Sequence, residues 1–269
     1  MRRVGLWTVV VGMLIVRASS VWAAPPSDVL AYAVFAIQSA SIGSHGRIQG
    51  DAGCLFDRLA IGQSTRVTGL AAAPSIALRR GGRASGGYFC GTIEGTSDAC
   101  QALPNPLIDA PAVVLVGPAS NNDVSAAKRT KATTPLPAGA YGTLTAATAA
   151  ELTLAGGMYQ FESIDLGARA EVVCLAACTV IVRGKVTMGQ ASRLGAGAGV
   201  AATNVVVQIA AQGASRALDA KSRVQVHATI YAPSAEVKIG SAAKVTGALV
   251  GSTVSVGPRA RLQGPAGSS

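Results

Sequence analysis

A nine-residue pattern that recurs along the chain decides the fold. Its first copy is Ile42-Gly43-Ser44-His45-Gly46-Arg47-Ile48-Gln49-Gly50. Positions one to nine hold an apolar residue, glycine, three small or polar residues, a charged residue, an apolar residue, any residue and glycine. Further full copies begin at Ile61, Ile239 and Val256, and looser copies begin at Leu166, Met188 and Leu218. Such a repeat predicts a chain built from stacked structural units.

The spacing of the copies predicts one turn of a β-solenoid per copy. Apart from one long gap between positions 62 and 167, the second positions of successive copies lie 17 to 30 residues apart. Alternating apolar residues, as in Val237-Lys238-Ile239, place one side of a strand inward and the other outward. Glycine at position two is expected to permit a corner conformation that a side chain would forbid. The sequence therefore predicts an all-β, right-handed parallel β-helix (β-solenoid), with a β-sandwich as the alternative.

The composition agrees with a narrow solenoid core. Ala (51) and Gly (32) make up almost a third of the 269 residues, 49% of residues are apolar and only 13% are charged. This balance excludes a disordered chain, and the low Glu content excludes a coiled coil. With two His in the whole chain, chemistry that depends on histidine has little to work with.

Residues 1–23 resemble a secretory signal peptide. Arg2 and Arg3 precede an apolar run from Val4 to Val16, and small residues near Ala23 would suit cleavage. A retained membrane anchor is the alternative, although the run is shorter than the roughly 20 residues of a membrane span. We therefore predict a secreted protein of the periplasm, cell surface or medium. Its formal charge of +10 favours loose association with an acidic polysaccharide or another envelope polyanion.

Five cysteines follow the signal: Cys54, Cys90, Cys100, Cys174 and Cys178. An oxidising compartment makes disulfides the expected state. The nearest pairs, Cys90/Cys100 and Cys174/Cys178, would leave Cys54 free, but a Cys54/Cys90 pair is equally open. No metal site is expected, because the pairs lack the two-residue spacer of zinc sites and have no neighbouring His.

Position six of the repeat is basic in six of the seven copies. These residues are Arg47, Arg66, Arg193, Arg223, Lys244 and Arg261, and Glu171 is the exception. Copies that stack in register would align them as a positive stripe. The plainer interpretation is a row of solvated charges that keeps strand edges from aggregating, and the alternative is a polyanion-binding surface. Specific nucleic-acid binding is not expected, because no aromatic residues alternate with the basic ones.

The repeat lapses in a proline-rich stretch. Six prolines lie between residues 104 and 137, and such a segment is typical of a linker or surface excursion. We predict a signal peptide over 1–23, an N-terminal solenoid block over 24–91, an excursion over 92–135 and a C-terminal block over 136–265. Exposed coil ends could also support self-association.

Two stretches of the C-terminal half resemble a known family. Leu136-Pro137-Ala138-Gly139-Ala140-Tyr141-Gly142 with residues 157–167, and then Thr229-Ile230-Tyr231-Ala232-Pro233 with residues 234–240, are similar to motifs of secreted bacterial β-solenoid proteins. Members of this group carry bactofilin-like or pilus-associated adhesin-like repeats. The resemblance implies a right-handed β-helix, an envelope or extracellular role and no catalytic residues.

β-Helices often carry polysaccharide lyases and hydrolases, for which paired acids would be needed. A glycosidase needs two carboxyl groups about 5–10 Å apart, and the candidates Glu162 and Asp165 differ by an odd number of positions, which directs them to opposite sides of a strand. His45 and His227 have no neighbouring Ser or Asp. We predict a structural or adhesive protein without catalytic activity, cofactor or metal. The alternatives are a polysaccharide lyase or hydrolase and, less favoured, an ice- or surface-binding protein.

Overall fold

A computed structural model describes residues 28–103, 120, 122–211 and 216–265. In those residues the chain forms twenty-five β-strands and two short 3-10 helices, η1 (Val29–Ala31) and η2 (Ala202–Asn204). The strands are β1 (Val34–Ile42), β2 (Arg47–Gln49), β3 (Ala52–Cys54), β4 (Arg58–Ile61), β5 (Arg66–Val67), β6 (Ala71–Leu78), β7 (Arg83–Ala84), β8 (Tyr88–Glu94), β9 (Val124–Ala126), β10 (Gly139–Ala140), β11 (Thr143–Ala146), β12 (Glu151–Leu154), β13 (Gly157–Phe161), β14 (Ser163–Leu166), β15 (Glu171–Cys174), β16 (Cys178–Val182), β17 (Val186–Met188), β18 (Arg193–Ala196), β19 (Val205–Ile209), β20 (Arg216–Ala220), β21 (Gln225–His227), β22 (Thr229–Ile239), β23 (Lys244–Thr246), β24 (Leu249–Val256) and β25 (Arg261–Gln263). No helix in these ranges is long and apolar enough to cross a membrane.

The strands stack in parallel as a β-solenoid, as the repeat predicts. Each coil contributes strands to three faces. Five long strands, β1, β6, β8, β22 and β24, each contribute to two faces. Face A contains their C-terminal halves with β4, β9, β11, β14, β17 and β20. Face B contains their N-terminal halves with β3, β10, β13, β16 and β19. Face C is a separate nine-stranded sheet of β2, β5, β7, β12, β15, β18, β21, β23 and β25.

The order of the coils in space differs from their order in sequence. β24, near the C-terminal end of the chain, pairs with β1, and β25 pairs with β2. The N-terminal block therefore stacks on the last coil of the C-terminal block, and the two blocks form one continuous column. β8 lies at one end of face A and β9 at the other, so these two strands, consecutive in the sequence, are separated by the length of the column.

This arrangement corrects the predicted excursion over residues 92–135 at both of its ends. β8 continues to Glu94, and β9 already belongs to the column because Ala126 pairs with Ala146. Lys131 and Leu136 form isolated bridges with the next coil. Residues 104–119 of the predicted excursion lie outside the described residues, as does the predicted signal peptide.

Rows of apolar side chains stack along the inside of the column. On face A, one row runs through Ile164, Val186, Leu218, Val237 and Val254, each paired with the next strand. All five side chains are almost fully buried. Small buried residues such as Ala150, Ala170 and Ala243 occupy position five at the corners. The abundance of Ala therefore follows from a narrow core that must close at every turn.

The corner between faces A and C is built differently from the sequence prediction. Among the residues that the structure describes, the nine non-glycine residues with positive φ all lie at position four of this corner: His45, Ser64, Arg129, Ala149, Arg169, Ala191, Arg223, Ala242 and Arg259. The glycines at position two have no positive φ; instead, a Cβ atom on Gly62 would lie 2.6 Å from the carbonyl carbon of Gly43. Glycine at position two is thus required for close approach of stacked turns, and the predicted reason is wrong.

Two short segments cover parts of face B. η1 and the following residues bring Val29 and Tyr32 into a second apolar cluster with Phe35 and Phe89 on the outside of this face. At the end of the column, Gln101 pairs with Tyr88 and Cys90 of β8 through two backbone hydrogen bonds. Residues 95–103 form an end cap. The Cys90–Cys100 disulfide holds this end cap against β8, the terminal strand of the column.

Candidate polyanion-binding ladder

Position six forms an aligned row on the outside of face C. Strand pairing places its residues in the spatial order Lys131, Glu151, Glu171, Arg193, Gln225, Lys244, Arg261, Arg47, Arg66 and Arg83. The last five are basic, exposed and consecutive. We call these five residues, Lys244, Arg261, Arg47, Arg66 and Arg83, the basic ladder. Neighbouring members lie on adjacent strands, about 4.8 Å apart along the column.

The stacking order creates the basic ladder. Lys244 and Arg261 come from the C-terminal block, whereas Arg47, Arg66 and Arg83 come from the N-terminal block. They become one row because Arg47 pairs with Arg261. The two groups lie more than 150 residues apart in sequence, so their contact depends entirely on the fold.

Arg223 does not belong to the row, and its predicted place there is wrong. Ala220 pairs with Met188 and Ile239, so this copy begins two residues later than the sequence pattern indicates. Arg223 therefore occupies position four, the corner, with a φ of 61°. Gln225 takes position six and separates Arg193 from Lys244.

Arg193 lies in the row but outside the basic ladder. It is half-buried, and its guanidinium donates a hydrogen bond of 3.0 Å to the carbonyl oxygen of Ala196. Its other neighbour in the row is Glu171. Arg193 is thus held against its own strand at the point where the row changes from basic to acidic.

Sequence reasoning missed Arg83. This residue lies in a degenerate copy over residues 78–86, which has Arg79 instead of glycine at position two and only Ala84 at position seven. The spacing of 17 residues from Gly62 to Arg79 and the closing Gly86 were the signals that could have revealed it. The structure pairs Arg83 with Arg66.

A second row lies beside the basic ladder. Position eight points to the same side of the sheet as position six, and in these five coils it holds Thr246, Gln263, Gln49, Thr68 and Ser85. We call these residues the neutral row. Six side chains of the two rows, together with Val245 and Leu262, line a shallow depression of about 330 Å³: Lys244, Thr246, Arg261, Gln263, Arg47 and Gln49.

The basic ladder carries uncompensated positive charge. The ion pairs of the described residues involve other cations, such as Lys131 with Glu151 at 2.9 Å and Arg58 with Glu94 at 2.7 Å. His227 lies in the position-eight row next to the ladder's end, and burial, with Arg193 and Lys244 nearby, lowers its pKa. The lowered pKa favours the neutral imidazole, so His227 adds no cation beside Lys244 at pH 7.

The other candidate residues do not converge. Glu162 and Asp165 are both exposed, and Asp165 has Thr145 and Thr187 as its neighbours on the adjacent strands. His45 lies at an exposed corner before β2, and in face C two strands, β23 and β25, separate β2 from the strand β21 that holds His227. No group of three or more metal-ligating side chains occurs within the described ranges.

Of the alternatives that the sequence leaves open, the structure has the two cysteine pairs nearest in sequence. Cys90 bonds to Cys100 and Cys174 bonds to Cys178, which leaves Cys54 buried and free. The Cys54 thiol donates a hydrogen bond to the carbonyl oxygen of Gln38. The second disulfide closes the corner between β15 on face C and β16 on face B.

Residues 116–263 match a family model described as a domain of unknown function (DUF7305). This match covers more than half of the chain. The chain belongs to the DUF7305 family. No curated protein and no solved structure matches it. The DUF7305 region contributes Lys244 and Arg261 to the basic ladder, whereas Arg47, Arg66 and Arg83 precede that region.

Proposed function

We propose that this DUF7305 protein is a secreted structural or adhesive component of the cell envelope that has no catalytic activity. Its solenoid presents the basic ladder to an acidic polymer of the envelope and so attaches the protein there. Bactofilin-like and adhesin-like repeats, which the sequence resembles, fit such a role.

The observation that carries this proposal is the run of five cations on consecutive strands. Like charges directly opposite each other on neighbouring strands destabilise a sheet, and these five have no acidic partner among the described residues. A column that served only as a spacer would gain nothing from this arrangement. A bound polyanion would neutralise the whole row at once, since its charges also repeat along one direction.

The disulfides support the export part of the proposal. Both are largely buried in the column or at its end cap, and such bonds persist in oxidising compartments. Self-association through coil ends belongs to the same proposal. In the described part of face A, the terminal strands β8 and β9 each have one partner strand only.

Binding to an immobilised polyanion tests the proposal. We expect the protein to be retained on a heparin column, and the triple variant Arg47→Ala/Arg66→Ala/Arg261→Ala to elute at clearly lower salt. The matched control is Arg169→Ala/Arg223→Ala/Arg259→Ala, which removes the same charge from exposed corner positions. Equal elution of both triple variants would contradict a role for the basic ladder.

Cell fractionation tests export, and cleavage of acidic polysaccharides by the purified protein would contradict the absence of catalysis.

A further inference from the structure

The two rows on the outside of face C extend over the same five coils. Backbone pairing continues through both: Thr246 pairs with Gln263, Gln263 pairs with Gln49, and the amide of Thr68 donates to the carbonyl of Ile48. Beyond Lys244, the position-eight row continues with His227, Gly195 and Val173. Position six continues there with neutral Gln225, half-buried Arg193 and acidic Glu171, so the run of exposed cations stops at Lys244. The five exposed cations therefore lie beside five neutral side chains that can form hydrogen bonds.

This surface has a defined length and composition. Five coils span four spacings of about 4.8 Å, roughly 19 Å along the column axis. Each coil offers one cation, which can bind a carboxylate through charge-assisted hydrogen bonds, and one amide or hydroxyl group, which can bind a ligand hydroxyl. A ligand that satisfies both rows needs acidic groups along one edge and hydroxyl groups along the other.

We propose that the basic ladder and the neutral row bind a linear acidic polysaccharide that lies lengthwise along the column, with one sugar for each coil. This inference rests on the proposed function and specifies its ligand. Polyphosphate has no hydroxyl groups to engage the neutral row. Single-stranded nucleic acids are bound with the help of aromatic stacking, and neither row contains an aromatic ring in these five coils.

Calorimetric titration with oligogalacturonates of one to ten sugars at fixed salt tests the length. We expect the affinity to rise with each added sugar up to about five and then to level off, because the two rows end after five coils. Affinity that does not depend on length, or tighter binding of single-stranded DNA than of a galacturonate of equal charge, would overturn the inference.

Substitutions in the neutral row test the chemistry. Gln49→Ala/Gln263→Ala should weaken galacturonate binding about tenfold, since two neutral hydrogen bonds are lost, and should leave polyphosphate binding unchanged. Gln63→Ala, at an exposed corner outside both rows, is the matched control. Equal effects on both polymers, or none on either, would overturn the inference while the ladder still bound polyanions. Failure of the unaltered protein to bind either polymer would instead refute the proposed function.

Discussion

At the scale of single residues, positions two and four of the corner between faces A and C favour small residues for different reasons. A Cβ atom on Gly62 would lie 2.6 Å from the backbone of the preceding turn, whereas Ala242 occupies position four with a φ of 55°. We expect Gly62→Ala to destabilise the fold by about 1–3 kcal/mol through overpacking. Ala242→Gly should stabilise it by up to about 1 kcal/mol, because it relieves a left-handed conformation at some cost in chain entropy.

Urea unfolding of the two variants beside the unaltered protein measures both effects. Their opposite signs distinguish close approach from backbone conformation as the reason for glycine at position two. A neutral Gly62→Ala together with a destabilising Ala242→Gly would show that the positions have the reverse roles.

Asp51 provides a pH-dependent test at the same scale. Its carboxylate is buried and accepts a hydrogen bond of 2.7 Å from the amide of Leu70, and its charge contributes to raising the pKa of the buried Tyr32 hydroxyl. Burial raises the pKa of Asp51 above its ordinary value of 3.8, although the Leu70 amide opposes the shift. The folded state therefore holds the proton more tightly than the unfolded chain, and stability falls as the pH rises through the folded-state pKa.

Asp51→Asn removes this ionisation and keeps the shape of the side chain. We expect its thermal unfolding midpoint to exceed that of the unaltered protein at pH 7, and the advantage to shrink as the pH falls through the raised folded-state pKa and to be lost below the ordinary value of 3.8. A midpoint below that of the unaltered protein at pH 7 would show that the ionised carboxylate stabilises the fold.

At the scale of elements, the end cap protects the terminal strand of face B. The amide of Cys90 donates to the carbonyl of Gln101, the amide of Gln101 donates to the carbonyl of Tyr88, and the disulfide closes a ten-residue separation. Removing it with Cys90→Ser/Cys100→Ser should cost about 2–3 kcal/mol. Hydrogen exchange should accelerate at the amides of Cys90 and Gln101, since β8 then has a free edge.

The matched control is Cys174→Ser/Cys178→Ser. This disulfide closes a separation of only four residues, and β15 and β16 are each paired on both sides. We expect the amides of β15 and β16 to stay protected from hydrogen exchange in this control. Unchanged exchange at Cys90 and Gln101 after loss of their disulfide would show that the cap is held by other contacts.

Strand-level features of the ladder were only partly predictable from sequence. The nine-residue pattern predicts four members of the basic ladder, because its outward position six alternates with a buried position seven. These members are Arg47, Arg66, Lys244 and Arg261. The copy at Leu218 was misplaced because Leu218 and Ala220 both point inward, so the pattern fits either residue as position one. Only the pairing of Ala220 with Ile239 decides between them.

At the scale of the whole molecule, the stacking of the two blocks could not be read from the repeat. All copies share one pattern, so nothing local indicates that Val254 pairs with Ala40. The sequence does predict the parallel solenoid and its narrow core, whereas it leaves the pairing of the cysteines open. It does not predict that residues from both blocks form a single basic ladder, since that depends on contacts between distant parts of the chain.

The salt dependence of polygalacturonate binding tests the central claim most directly. For nucleic acids, each neutralised charge contributes about 0.7–0.9 to the slope of log K against log salt. We predict a similar loss of slope for each of Arg47→Ala, Arg66→Ala and Arg261→Ala, and no loss for the corner variant Arg259→Ala. Equal slopes for all four variants would mean that the charge acts only as a diffuse field, and would contradict a ligand lying along the basic ladder.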